Sequence, residues 1–423
     1  MFIRALVMSK NILEPATKCD TIRQSKIEEC LSATMSYEQR RFFILVLIVS
    51  ISGFSQGMLL PLISVIFEMD GISSTLNGLN ATGLYIGTLL VSPFIEQPLR
   101  KYGYKPIIIA GGAFVFVSLF LFPLWKSVMF WFVLRLLIGI GDHALHFATQ
   151  TWITSSTPQA KLGRSMSIYG ISFGLGFAMG PLFVPLVKIS ESLPFIISSV
   201  LCLVAWSFIF FVKNDKPDAL IGDANETGIA RYKLAIRYGW IAFLPPFIYG
   251  FLESSLNALF PVYALRKDFD VTMVSFILAA FSIGAITAQF PLGMLGDKIG
   301  RRKVIIGGLI GGASMFIIGS FLEFSEILVA CVFLVAGMSS GSMFSLGITY
   351  MADLTPKSLL PTGNLLCGIF FSLGSLSGPL FGGLYLQLIP HGSFLLVVAV
   401  MLAIVAIIIL IFGKKTAPPI ELN

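Results

Sequence analysis

Charge is scarce in this chain. Asp, Glu, Lys and Arg make up 12 % of its 423 residues, about half of the ~25 % usual in soluble domains. Three histidines and five cysteines leave little for metal or disulfide chemistry, and no CxxC spacing occurs. Cys19 and Cys30 fall in a polar N-terminal tail, Cys202, Cys331 and Cys367 in apolar runs, and all five read as free thiols. No G-x-x-x-x-G-K-[ST] string is present to cradle a nucleotide phosphate, so ATP is not expected to drive the protein. The first 34 residues hold no apolar core of signal-peptide length. These shortages exclude a soluble enzyme, a disordered chain, a disulfide scaffold and a nucleic-acid binder.

Apolar residues are what the chain has. They make up 56 % of it, at a mean hydropathy of +0.88, about 237 residues, close to the need of twelve spans of ~20 each. The runs lie at 42–67, 77–97, 106–125, 128–154, 165–187, 194–212, 238–265, 272–296, 304–322, 327–352, 363–388 and 393–412, numbered here as spans 1 to 12. Each is long enough to cross a bilayer as a helix that satisfies its own backbone. With the N-terminus inside, the inner segments carry 24 Lys and Arg and the outer loops four, Arg135 alone lying within a span. That bias places both termini in the cytoplasm of a multi-pass cell-membrane protein.

The segments are then a tail (1–41), a six-helix bundle (42–212), a central cytoplasmic loop (213–237), a second bundle (238–412) and a tail (413–423). Met35 begins MSYEQRRFF just before span 1, so a start at Met1 or Met35 is compatible with the pattern. The halves repeat at a fixed offset. Thr-Pro at 157–158 recurs at 355–356, GFSQ at 53–56 aligns with GFLE at 250–253, and KYGYK at 101–105 aligns with KIGRR at 298–302. GLGFAMGP at 174–181 aligns with the GSLSGP that begins at Gly374. All four shifts are 197 or 198 residues. Two parallel six-helix repeats imply a central site at their interface.

GMLGDKIGRRK at 293–303, between spans 8 and 9, resembles the G-x-L-x-D-x-x-G-R-R-x signature loop of the major facilitator superfamily. The resemblance implies that Gly293, Asp297, Gly300, Arg301 and Arg302 form a gating loop at the inner face. The first-half copy is degraded, with Arg100 and Tyr104 in place of Asp297 and Arg301, and Glu96 a substitute acid. RLLIGIG at 135–141 resembles the span 4 motif of proton-coupled members. GFAMGP and GSLSGPLFGG resemble the G-x-x-x-G-P-x-x-G-G motif of antiporters, which implies hinges at Gly176, Gly180, Pro181, Gly374, Gly378 and Pro379. Small residues four apart permit close helix contact, and proline frees a carbonyl. The resemblance implies an all-α fold of twelve helices in two pseudo-symmetric repeats. KNDKPD after span 6 is unlike the sugar-porter string, a single buried Arg is unlike phosphate or nitrate exchangers, and span 1 has no ExxER string.

Ionisable groups at mid-bilayer are costly and point to function. In span 4, Arg135, Asp142 and His146 share one helix face, and Arg135 and Asp142 lie ~10 Å apart along the axis. His143 lies 100° off that face, where it either packs or borders the cavity. Tyr249, Glu253 and Asn257 are four residues apart in span 7 and form a second stripe. Ser52 and Gln56 in span 1 form a third, with Gln56 aligned to Glu253. Ser340 in span 10 aligns with Asp142. Asp142 is expected to be held ionised by Arg135 or by protonated His146, and Glu253, with no basic neighbour in sequence, is expected ahead of Asp142 to carry the exchangeable proton.

A desolvated carboxylate can exchange a proton near neutral pH, and imidazole titrates in the same range. The expected proton-coupling residues are therefore Glu253, Asp142, His146 and Arg135. The expected substrate cavity holds Gln56, Ser52, Tyr249, Asn257, Ser340 and His143. Two potential ligands on one helix are too few for a metal site, and no cofactor is expected. The expected partners are a small-molecule substrate, protons and the lipid bilayer, around a monomer that is not an enzyme. The expected activity is proton-coupled export of a small amphipathic compound. Uptake of a nutrient, or a non-transporting receptor of the same fold, are the alternatives.

Overall fold

The computed structural model of the chain describes residues 37–157, 159–216, 228–356 and 359–414. The tail before Tyr37 with Met35, the central segment 217–227, and the tail beyond Lys414 lie outside the described residues. The chain divides into two units, residues 1–44 and 45–423. In the first, the described residues are helical from Tyr37. The second holds the helical body, and the described residues contain no strand.

Among the described residues ten helices are long and apolar enough to cross a membrane, or eleven with the pair Ser74–Val91 and Glu96–Tyr102, which bends by 60° and matches span 2. The remaining expected span is the helix Leu244–Leu265, 22 residues long. Its rise of ~33 Å is enough to cross, but Glu253, Asn257 and three prolines dilute its apolar character. Span 1 is Tyr37–Met69, span 3 Tyr104–Leu124, span 4 Val128–Ser156, and span 6 Leu193–Phe211. Span 8 is Val271–Ile299 and span 9 Arg301–Phe321. Spans 11 and 12 are Thr362–Leu388 and Phe394–Phe412.

Two spans depart from a plain helix. Span 5 is α-helical to Met179 and 3₁₀ over Gly180–Lys188. Pro181 and Pro185 lack donors four residues apart, so the α ladder cannot continue. Span 11 has only Pro379 at the equivalent place and stays α-helical to Leu388. Span 10 is two helices, Glu326–Ser340 and Met343–Leu354, broken at Gly341 and Ser342. One element was not expected: the central segment contains a helix, Gly228–Gly239. It is short and has a mean apolar content far below the spans, so it reads as polar linker in sequence.

The sequence repeat is also a packing repeat. A Cβ on Gly176 of span 5 would lie 1.9 Å from the Ser50 carbonyl oxygen of span 1, and a Cβ on Gly374 of span 11 would lie 1.9 Å from the Phe247 carbonyl of span 7. Hence span 5 docks on span 1 as span 11 docks on span 7. Without a hydrophobic drive between helices in lipid, such close backbone approach is a main source of cohesion. Spans 2 and 4 pack as spans 8 and 10 do, and spans 2 with 11 and 5 with 8 join the halves.

The turns after spans 2 and 8 share a second device. Gly103 and Gly300 adopt φ of +91° and +94°, a conformation that glycine reaches at little cost. After Gly300, Arg301 pairs with Asp297 at 2.9 Å and with Asp353 of span 10 at 2.7 Å. Arg302 donates to the carbonyls of Ile409 and Leu410 at the end of span 12, where the helix dipole favours a cation. After Gly103, Lys105 likewise donates to the Phe210 and Val212 carbonyls at the end of span 6. In place of Arg301–Asp353 stands Tyr104–Ser155, a neutral hydroxyl contact of 3.0 Å. The degraded first-half motif thus keeps the geometry and loses the charge. Glu96 pairs locally, with Arg100 at 2.5 Å.

Candidate functional site

Asp142 sits in span 4 with its carboxylate on the half-buried wall of the helix. Ser52 of span 1 donates to one oxygen, and Gln56, one turn on, donates to the other at 2.5 Å. His146 Nε2 lies 3.7 Å from Asp142 Oδ1 and 3.1 Å from Ser52 Oγ. On its other side His146 Nδ1 lies 2.7 Å from the Tyr169 hydroxyl of span 5. The chain Gln56–Asp142–Ser52–His146–Tyr169 therefore joins spans 1, 4 and 5. It is a continuous run of hydrogen-bond contacts between carboxylate, hydroxyl, imidazole and phenol.

Of the two partners expected for Asp142, the structure supplies His146 and not Arg135. The Arg135 guanidinium is wholly buried and reaches the Leu59 carbonyl at 3.4 Å. Its Nε and Nη1 have no hydrogen-bond partner, and no carboxylate lies within ion-pair distance of it among the described residues. The shared helix face is real, but a separation of two turns is more than the side chains close. His143 turns away to Ser92 of span 2, 3.1 Å away, as its angular offset suggests.

Glu253 in span 7 occupies the second-half counterpart of Gln56. Tyr249, one turn earlier, faces it, and Tyr85 of span 2 lies within electrostatic range of it. The expected stripe stops there. Asn257 is buried and donates to the Glu253 backbone carbonyl at 2.8 Å. Ser340 is wholly buried and donates to the Ala336 carbonyl at 2.7 Å. Both spend their donors on their own helices, because small polar side chains in a helix reach the preceding turn more readily than a neighbour.

Sequence reasoning passed over the aromatic lining. Phe173 of span 5 meets His146 edge-on with centroids 5.1 Å apart. The residues at the repeat offset, Phe371 and Phe344, meet edge-on at 5.3 Å, and Tyr249 packs on both. All four rings are half-buried. The signal was the pairing of Phe173 with Phe371 at offset 198, hidden among 38 phenylalanines.

Ion pairs tie the two halves together at one end of the bundle, the end carrying the loops after spans 1, 5 and 7. Arg266 pairs with Glu68 at 2.7 Å and also donates to Ser74 and to the Leu386 carbonyl. Lys188 pairs with Asp270 at 2.6 Å. Hydrogen bonds from Lys188 and Thr272 hold the Asp270 carboxyl down to about 2. A carboxylate depressed in the folded state adds stability above its ordinary value, which is lost only as pH falls through about 2. Asp270→Asn is therefore expected to leave the shape of a pH–rate profile between pH 5 and 8 unchanged. A moved midpoint in that profile would place this tie in the pH response.

Membrane-length helices in two packing repeats, with the titratable Asp142 and His146 in one half and Glu253 in the other, fit a membrane transporter. The chain belongs to the Major Facilitator Superfamily, whose sequence profile matches residues 45–270 and 242–423. It is 54 % identical over 381 residues to YfkF, an MFS-type transporter of Bacillus subtilis (strain 168), covering 90 % of this chain and 97 % of that one. It is 23 % identical over 378 residues to Multidrug resistance protein 2 of the same organism, covering 86 % and 94 %. Among solved structures it resembles a bacterial homologue of the human lysosomal transporter Spinster, inward-facing and unoccupied. The TM-score is 0.73 at 15 % identity, covering 88 % of this chain and 96 % of that one. The nucleoside transporter NupG gives 0.72 at 13 % identity, with 90 % and 100 % covered. At such identities the structures establish the fold alone.

Proposed function

We propose that this transporter exports a small amphipathic molecule in exchange for protons by alternating access. The observation that carries this reading is Asp142. It lies inside the bundle, and its only ion-pair partner among the described residues is a titratable imidazole, His146. Protonation of this pair and binding of cargo then compete for the same donors, Ser52 and Gln56. Glu253, with Tyr249 beside it, is a second protonation site on the facing half. The rings of Phe173, Tyr249, Phe344 and Phe371 supply apolar surface beside both acids, which suits cargo with a flat or greasy body and a neutral or cationic group. The relative named Multidrug resistance protein 2 agrees with such cargo.

The bodies that rock are the halves 42–212 and 238–412, with Gly176, Gly180, Pro181, Gly374, Gly378 and Pro379 as the helix contacts on which they turn. The basic end is the cytoplasmic one, from the 24-to-4 Lys and Arg bias. The ties Glu68–Arg266 and Lys188–Asp270 then close the outer side, and the loop at Gly293, Asp297, Gly300, Arg301 and Arg302 latches the inner side when it closes. The protein acts as a monomer in the cell membrane with both termini inside.

The test is ΔpH collapse in inside-out vesicles containing the protein, over lipophilic cations, neutral antibiotics and sugars. Compound-dependent collapse, absent in an Asp142→Asn, Glu253→Gln double variant, is the expected result. Silence over the whole panel with folded protein would reject proton-driven export and turn the reading to nutrient uptake.

A further inference from the structure

The helix Gly228–Gly239 reads GIARYKLAIRYG, with Arg231, Lys233 and Arg237 and no acid. Its inner face is seated: Ala235 is wholly buried and Tyr232 packs against the core of the second half. The opposite face presents Lys233, Leu234, Ile236, Arg237 and Tyr238 to the surroundings. Lys233 and Arg237 are one turn apart on a single stripe, and Trp240 follows on the same side, 43 % exposed.

The last residues of span 12 complete the patch. Trp240 packs against Phe412 with ring centroids 6.0 Å apart, and exposed Lys414 donates to the Tyr238 carbonyl at 3.3 Å. Three cations, Lys233 and Arg237 on the helix and Lys414 at Tyr238, thus lie where the apolar length of span 12 ends. Among the described residues none of the three has a carboxylate partner.

We propose that this patch binds the phosphodiester headgroup of an anionic phospholipid. Three features select that occupant over a protein partner or a free anion. The cations lie at the end of a membrane span, at the depth where headgroup phosphates sit. Tyr and Trp are the residues that settle at this boundary. The exposed Leu234 and Ile236 beside the basic stripe give the helix the two faces of an interfacial helix, which binds by apolar burial plus attraction to anionic lipid. Phe412 and Trp240 offer a surface for the first methylenes of the acyl chains. The central segment is thereby anchored to the inner leaflet next to spans 10 and 11, against which its inner face packs.

The full chain is reconstituted in phosphatidylcholine bilayers containing brominated phosphatidylglycerol or brominated phosphatidylcholine. Trp240 emission is isolated by subtracting the Trp240→Phe protein. Brominated phosphatidylglycerol is expected to quench Trp240 at about threefold lower mole fraction than brominated phosphatidylcholine, because basic side chains at the surface attract anionic headgroups. The Lys233→Gln, Arg237→Gln, Lys414→Gln protein is expected to lose that preference while keeping its quenching by phosphatidylcholine. High salt should erase the preference in the parent protein, and added inorganic phosphate at low millimolar levels should not compete. Equal quenching by the two lipids in the parent protein would overturn the proposal. So would a preference that survives the triple variant or high salt. Competition by inorganic phosphate would reassign the patch to a soluble anion.

Discussion

Asp142→Asn protein in proteoliposomes is expected to retain substrate counterflow within about threefold while losing pH-driven transport by about 100-fold, the scale set by removing a positioned proton carrier. Counterflow needs the cavity and the rocking motion but no proton. Asparagine has the shape of aspartate and keeps one acceptor oxygen for Ser52 or Gln56. Its amide group would face a donor, a clash that Gln56 can relieve by turning its own amide end for end. The fold is therefore expected to persist, and what is lost is the group that takes up the proton. His146→Gln should lower pH-driven transport less, since the carboxylate remains, and should shift its pH midpoint. Unchanged pH-driven transport in Asp142→Asn would move the coupling role to Glu253, where Glu253→Gln must then abolish it. Full coupling in both variants would end the proton-exchange reading.

Gly374→Val is expected to abolish recovery of folded protein, and Gly176→Val to do the same in the first half. In both, a Cβ would fall 1.9 Å from a carbonyl oxygen of the facing helix. The obstacle is backbone, which has no rotamer to move to, so the helices must separate along their length. Overpacking that side chains can absorb costs ~1–3 kcal/mol, and here the strain spreads over a whole helix pair. The controls lie in the same two helices. Nothing lies within 4 Å of a Cβ built on Gly170 or Gly368. Alanine at either is expected to be neutral or to raise the melting temperature, because glycine in a helix interior costs ~1 kcal/mol relative to alanine. Size-exclusion profiles and melting curves of the four proteins would decide it. A monodisperse, stable Gly374→Val protein would show that span 11 does not dock on span 7 in this way.

Much of the fold was legible in the chain. Twelve apolar runs became twelve helical stretches because the cost of unsatisfied backbone in lipid is local and leaves few alternatives. The run at span 7, its apolar character diluted by Asn257 and three prolines, is the one that carries Glu253. The repeat was legible from glycines, since a residue with no side chain marks the place where two helices touch. The signature loop was legible too, and the structure supplies its chemistry: Arg301 joins two acids, and Arg302 caps span 12. Helical spacing put Asp142 and His146 on one face and set His143 aside.

What the chain by itself determined is therefore the helices, their twofold repetition and the family. Only the tertiary structure decided which polar group answers which. Arg135 and His146 share a face with Asp142, and helix rotation and side-chain reach gave the carboxylate to His146, Ser52 and Gln56. Asn257 and Ser340 satisfied themselves on their own helices, while Phe344 met Phe371 from a separate span and Phe173 met His146. The physical reason is one of range. Apolar transfer and backbone hydrogen bonding act within a span and leave a periodic record in the sequence. A polar contact across a membrane bundle depends on the rotation and offset of two helices, set by every other contact they make.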